Sequence, residues 1–200
     1  MTVNFDSQAE YILEDDRVLL RPLLEKDLDH LLPFALNETD TWKYSQYDAA
    51  GKQGMTDYIH TALIARATGK EYPFIVYDKQ SNAYAGSTRF YDIQPNNQTL
   101  QLGYTWYGED FRGSGLNKHC KFLLLQFAFE GLNMERVEFR ADARNERSIA
   151  AMKSIGCKPE GIIRSHMLLH TGARRDSIIL SILKNEWTED VKQRLKDKLI

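Results

Sequence analysis

Cysteine is scarce in this chain: Cys120 and Cys157 are the only two in 200 residues. Two cannot staple a small secreted scaffold, and neither has a second cysteine at metal-ligand spacing. They read as buried or idle thiols of a reducing compartment. Net charge is scarce as well, since 26 Lys and Arg stand against 28 Asp and Glu, a formal −2. Binding nucleic acid by neutralising phosphates calls for a strong basic excess or stripe, so that class is excluded and only a local basic patch is left open. No run approaches the roughly 20 apolar residues of a membrane helix, and Met1 to Glu14 has no basic segment leading into an apolar one. A soluble, cytoplasmic protein with neither membrane nor nucleic-acid partner is expected. Proline is rare too, 5 in all, and no repeat or Gly/Ser linker divides the sequence. Residues 1–200 are therefore read as a single domain, with a core over 17–187 and a helical tail over 186–200.

What is present is enough apolar material for a core, 42% of residues, of which the aromatic share is large. Arg17 to Pro22 reads as a strand stopped by its proline. Glu25 to Leu36 reads as a helix through Leu28, Leu31, Leu32 and Ala35. The aromatic segment from Asn37 to Gly54 is expected to be a loop or short helix, and Thr56 to Ala67 a helix ended by Gly69. Three strands follow, Tyr72 to Tyr77, Tyr84 to Tyr91 and Leu100 to Tyr107, as an antiparallel meander. From Gly115 a long apolar helix runs to Gly131, then a strand over Arg136 to Ala141 and a helix over Arg147 to Ile155. The last strands are Ile162 to His170 and Asp176 to Leu183. The fold class expected is α/β, a mixed and mostly antiparallel sheet of about seven strands with helices on both faces. A helix joining the strand at Leu100 to that at Arg136 makes these two a parallel pair by right-handed crossover, with a ligand expected at the carboxyl end of the first, where the glycine-rich turn opens the helix.

The segment Arg112-Gly113-Ser114-Gly115-Leu116-Asn117-Lys118 joins strand to helix. Two glycines allow a turn that aims several N–H groups at one spot, where the helix dipole adds about half a positive charge. Such a nest suits a phosphate or pyrophosphate, with Arg112 and Lys118 adding charge. It is not a dinucleotide fingerprint, because Lys118 stands where a third small residue belongs, nor a Walker loop, which needs Gly-Lys-Ser/Thr.

Leu102-Gly103-Tyr104-Thr105-Trp106, Arg112 to Asn117, Phe127-Ala128-Phe129-Glu130, Asn145-Glu146-Arg147-Ser148, Gly161 to Arg164, Arg174-Arg175-Asp176 and Glu186-Trp187 occur in an order that resembles the GNAT superfamily of N-acetyltransferases. The likeness is greatest to its RimJ/RimL branch, the ribosomal-protein N-terminal acetyltransferases and their relatives. The resemblance implies that the parallel strands splay apart and that acetyl-CoA enters the gap, no metal being needed. It implies a cofactor site of Arg112, Gly113, Ser114, Gly115, Leu116, Asn117 and Lys118 around the pyrophosphate. Asn145 would hold the pantetheine arm, a plain helix N-cap being its alternative. Trp106 joins the cofactor wall or the acceptor pocket, or packs in the core. Asn117 departs from the usual small residue of the loop but still offers its backbone N–H.

Many superfamily members protonate the leaving thiolate with a tyrosine seven residues after the asparagine; here Met152 stands there. Within the branch a serine three residues on is the acid, which implies Ser148, otherwise a first-turn hydroxyl bonded to backbone. At pH 7 a lysine amine is neutral in roughly one molecule per few thousand and an α-amine in roughly one in ten, so acyl transfer needs a base. The branch's glutamate falls near Glu71, with Asp92 and Glu109 as alternatives to it; each is otherwise an ordinary carboxylate. Trp42 and Tyr44 are expected to line the acceptor pocket. His166 and His170 lack a third ligand for zinc, and His119 and Cys120 point apart on a helix. The resemblance thus implies an acetyl-CoA-dependent N-acetyltransferase acting on an amine-bearing substrate, a peptide N-terminus or a small molecule, by direct attack in a ternary complex, as monomer or homodimer. Its rivals are a non-catalytic acyl-CoA-binding module, suggested by the missing tyrosine, and a nicotinamide-binding oxidoreductase.

Overall fold

Along Glu71–Asp78 (β3) Phe74 and Val76 are fully buried on one side and Ile75 on the other, the pattern of a strand covered on both faces. The computed structural model describes residues 5–199, so the expectations for Met1 to Asn4 and for Ile200 fall outside the described residues. Around β3 lie β1 (Leu13–Glu14), β2 (Val18–Pro22), β4 (Ala83–Gln94), β5 (Thr99–Tyr107), β6 (Arg136–Asp142), β7 (Lys158–Leu168) and β8 (Arg174–Leu183). They make one sheet of 8 strands in the order β1-β2-β3-β4-β5-β6-β8-β7. Every neighbouring pair is antiparallel except β5 and β6, which run parallel.

The sheet is thus the expected mixed one, with β1 as the added strand. β7 begins at Lys158 rather than Ile162, because the exposed Lys158 and Pro159 pair with Ser181 and Leu180. One face packs on α1 (Leu28–Asn37) and α2 (Gly51–Ala67), a cluster that includes Leu31, Trp42, Met55, Ile59 and Trp106. The opposite face packs on α3 (Leu116–Gln126), a following π-helical turn (Phe127–Gly131), and the C-terminal segment of α5 (Lys184–Glu186), a second π-helical turn (Trp187–Val191) and α6 (Lys192–Lys196). Trp187, Val191 and Leu195 bury there at helical spacing and seat the tail. The short helix α4 (Glu146–Ser154) follows β6 and contributes Met152 to the same core. No helix of the described residues is long and apolar enough to cross a membrane.

The parallel pairing is brief. Thr99, Leu100 and Gln101 register with Arg136, Val137 and Glu138, and there the ladder stops, although β5 runs on to Tyr107 and β6 to Asp142. Beyond Gln101 and Glu138 the two inner edges diverge as a wedge. Two irregularities in the chain help to open it. Tyr104 takes a positive φ of 49° where the β4–β5 register shifts, bending β5. Gly86 lets β4 follow that bend, because a Cβ placed there would lie 2.1 Å from the Trp106 carbonyl oxygen. Gly86→Ala is expected to lower the unfolding free energy by about 3 kcal/mol or more, the sum of backbone strain and overpacking. Denaturant titration checks this; a loss under about 1 kcal/mol would mean that β4 can draw back from β5.

Candidate functional site

The turn between β5 and α3 is built from two residues in the left-handed region, Gly113 (φ 76°) and Gly115 (φ 89°). The amides of Gly113, Ser114, Gly115 and Asn117 make no hydrogen bond to the described residues, while Lys118 N–H closes the first turn on Gly115. The result is a concave set of donors at the start of an 11-residue helix. The Asn117 side chain accepts from the Tyr107 hydroxyl at 3.2 Å and seats the helix on the end of β5. Ser114 donates to the Phe111 carbonyl, and Leu116 is buried beneath the turn. The Arg112 guanidinium bonds the Tyr107 carbonyl at 2.9 Å and the Thr41 hydroxyl at 2.6 Å. It therefore ties the chain after α1 to the end of β5. Lys118 forms no ion pair among the described residues.

On the α1/α2 face the wedge opens into a cavity of about 160 Å³. Tyr104, Thr105 and Trp106 line it from β5, Arg140, Ala141 and Asp142 from β6, and Arg175 from β8. Thr41, Trp42 and the segment 44–46 close one side, and Asn145 and Ser148 the other. The structure thus brings Trp42, Tyr44, Trp106, Asn145 and Ser148 to one place, and leaves Glu71, Asp92, Glu109 and the loop 112–118 outside its lining. Trp106 packs edge-on against Trp42 with centroids 5.0 Å apart and donates its indole N–H to Tyr58 at 3.2 Å. Trp42 Nε1 is buried with no hydrogen-bond partner.

Asn145 caps α4: its side-chain oxygen accepts the Ser148 N–H at 3.1 Å. That leaves the Asn145 Nδ2 group and the Ser148 hydroxyl without partners among the described residues. The serine hydroxyl is not engaged with the backbone and faces the cavity. Glu71 begins β3 and accepts from Arg89 Nη1 at 2.7 Å. The Arg89 guanidinium is fully buried and lies over the rings of Tyr104 (4.4 Å) and Tyr58 (4.7 Å), two lining residues. Glu71 is one layer behind the cavity wall. Burial pushes the Tyr91 phenol up to about 12 and that of Tyr104 higher than its ordinary value too, so both stay protonated.

Sequence reasoning missed two basic groups. Lys121 is buried on α3 and donates to Thr105 Oγ1 at 2.8 Å, which itself bonds Thr88; burial pulls its ammonium down to about 8. Its position three and four residues before Leu124 and Leu125, on the apolar stripe, was the available signal. Arg175 is the other, a guanidinium buried on a strand whose sequence neighbours are exposed. The thiols of Cys120 and Cys157 are both pushed up to about 12 by burial, which keeps them inert. His119 pairs with Asp15 at 2.7 Å and has no part in the cavity. Among the described residues no cluster of His, Cys, Asp or Glu is suited to a metal ion.

The family model for the acetyltransferase (GNAT) domain matches residues 17–158. Among curated sequences, the chain is 30% identical over 113 residues to YdaF of Bacillus subtilis, which is named for a ribosomal N-acetyltransferase, a segment covering 56% of this chain and 59% of that one. It is 24% identical over 179 residues to the N-acetyltransferase p20 of Bacillus licheniformis, covering 88% and 97% of the two chains. Among solved structures, a GCN5-related N-acetyltransferase from Brucella melitensis superposes with a TM-score of 0.89 at 25% identity, over 100% of this chain and 90% of its own. RimL, described as a ribosomal L7/L12 alpha-N-protein acetyltransferase, shares the fold at a TM-score of 0.75 and 19% identity, over 92% and 99%.

Proposed function

The chain belongs to the GNAT acetyltransferase family, and from that premise we propose that it moves an acetyl group from acetyl-CoA to a primary amine by direct attack in a ternary complex. The observation that carries this reading is the wedge between β5 and β6, open on one side to an unpartnered serine hydroxyl and ending in a turn of unpartnered amides. The residues suit the donor: the amides of Gly113 to Asn117 offer a nest for its pyrophosphate, Lys118 adds charge, and Asn145 Nδ2 is free to bond the pantetheine arm. Bound there, the donor supplies an activated thioester.

The chain's own groups do the rest. Trp42, Tyr44 and Trp106 form the wall against which the amine is held. Glu71 takes the amine's proton through water, with Arg89 fixing the carboxylate in place. A backbone N–H on the free edge of β5 stabilises the oxyanion. As the C–N bond forms and the C–S bond breaks, Ser148 hands its proton to a thiolate of ordinary pKa about 8.5 and recovers one from water. Met152 is buried in the core at the position where the resemblance implies a tyrosine, and Ser148 is the lining hydroxyl on the helix that Asn145 caps.

The acceptor is an amine-bearing molecule; the name of RimL, an alpha-N-protein acetyltransferase, supports the N-terminus of a protein, and that of YdaF a ribosomal substrate. The test is release of free thiol from acetyl-CoA with a panel of N-terminal peptides, amino acids and polyamines. Turnover with at least one α-amine is expected. Calorimetric binding of CoA without thiol release from any member would overturn catalysis in favour of a binding module.

A further inference from the structure

Arg175 holds a positive charge in the cavity without an ion-pair partner among the described residues. Only 8% of the residue is exposed, yet no carboxylate of the described residues lies within ion-pair distance of it. Its Nε donates to Ser177 Oγ at 2.9 Å and Nη1 reaches the Tyr44 carbonyl at 3.4 Å, both neutral partners. The carboxylates nearby are committed elsewhere: Asp142 to Arg144 through both oxygens, and Glu138 to Arg140 and Arg136. Buried charge is ordinarily paired, because desolvation without compensation is expensive. Here desolvation outweighs the distant acidic groups and pulls the guanidinium's pKa down.

Other donors converge on the same space. Arg140 lines the cavity beside Arg175, and its Nη2 makes no bond to the described residues. Trp42 Nε1, also in the lining, is buried and unpartnered. The pocket is rich in donors, and the one carboxylate in its lining, Asp142, is held through both oxygens by Arg144. We infer that Arg175, assisted by Arg140, binds a carboxylate carried by the acceptor, so that the acceptor is an amine with a carboxylate close to it. This rests on the acetyltransferase reading for the word acceptor and on geometry alone for the carboxylate.

The donor's phosphates are not the missing partner. Val137, Phe139 and Ala141 of β6 join the core on the α3 side, so Arg140 and Asp142 project to the opposite face. Arg175 and Ser177 lie on that opposite face as well, since Ile178, Leu180 and Ile182 take the α3 side. The turn of free amides begins α3, across the sheet.

The carboxylate has two sources, the main-chain carboxylate of a free amino acid or the acidic side chain of a peptide, and two matched pairs separate them. Calorimetry with CoA present compares alanine with alaninamide, and the dipeptide amide Ala-Asp-NH2 with Ala-Asn-NH2. In one pair the carboxylate is expected to bind about 10- to 100-fold tighter than its neutral counterpart, the range of a charge-assisted bond pair. Arg175→Met is expected to bring that ratio close to one, and Arg175→Lys to restore part of it. Arg140→Met, which leaves the Tyr44 and Ser177 contacts intact, is expected to reduce the ratio even if Arg175→Met fails to fold. Ratios near one in both pairs for the unaltered protein would overturn the inference. So would a ratio that survives both variants, or an Arg175→Met protein whose loss falls on CoA itself. A carboxylate preference without thiol release from any amine would overturn the catalytic reading and leave the anion site standing.

Discussion

Ser148→Ala is expected to lower kcat by about 10²- to 10⁴-fold, the range of a general acid lost from a proton transfer, and to leave acetyl-CoA affinity little changed. The local structure makes this a clean substitution. The bond that holds the start of α4 runs from the Ser148 backbone N–H to Asn145, and alanine keeps it. The hydroxyl itself supports no other group among the described residues, so its removal unseats nothing. Alanine also suits a helix. A stability loss therefore belongs to Asn145→Ala, expected at about 1 kcal/mol for a removed cap, and a turnover loss to Ser148→Ala. Steady-state kinetics with thermal unfolding separates the two. Unchanged turnover in Ser148→Ala removes that residue from the mechanism.

Lys121→Met makes the protein more stable at pH 7, by up to about 3 kcal/mol, the free energy of a shift from the ordinary 10.4 to about 8. In the unfolded chain the ammonium keeps its proton to the ordinary value, and in the fold it releases it near 8. Between those pH values the unfolded state binds more protons, so the stability of the unaltered protein rises with pH across that window. Below pH 8 both states are protonated and the burden is constant and full. The gain from Lys121→Met is thus largest at and below pH 7, offset by the lost bond to Thr105, and fades toward pH 10. Denaturant unfolding at the two pH values measures it. A gain that does not change with pH would show that Lys121 is not the group responsible.

Much of this was legible. The long helix after Gly115, the meander before it and the crossover to Arg136 follow from periodicity and glycine placement, and they alone point to the carboxyl end of β5 as the place for a ligand. The Asn145–Ser148 pair was legible through the resemblance, whose motif Asn145-Glu146-Arg147-Ser148 matches in order and spacing. Other parts depend on partners distant in sequence. Leu13–Glu14 is a strand only because Leu19 and Leu20 pair with it. Lys158 and Pro159 show no alternation and are held by β8. α2 begins at Gly51, whose φ of 72° breaks the chain where the sequence suggested a loop to Gly54. Arg175 was invisible for a similar reason: in sequence it is one of two adjacent arginines, and only the fold buries one and exposes the other.

The three-residue seam between β5 and β6 also says how the chain divides. Every strand on one side of it comes from residues 13–107 and every strand on the other from residues 136–183, and within each piece neighbours pair antiparallel. The molecule is two consecutive lengths of chain, each paired antiparallel within itself and sutured to the other along one edge. The cavity lies in the suture, with aromatic walls from the first length and the Ser148 hydroxyl and the Arg175 guanidinium from the second. A substitution that alters how the two lengths meet acts on both substrates at once, while one confined to either length adjusts a single wall.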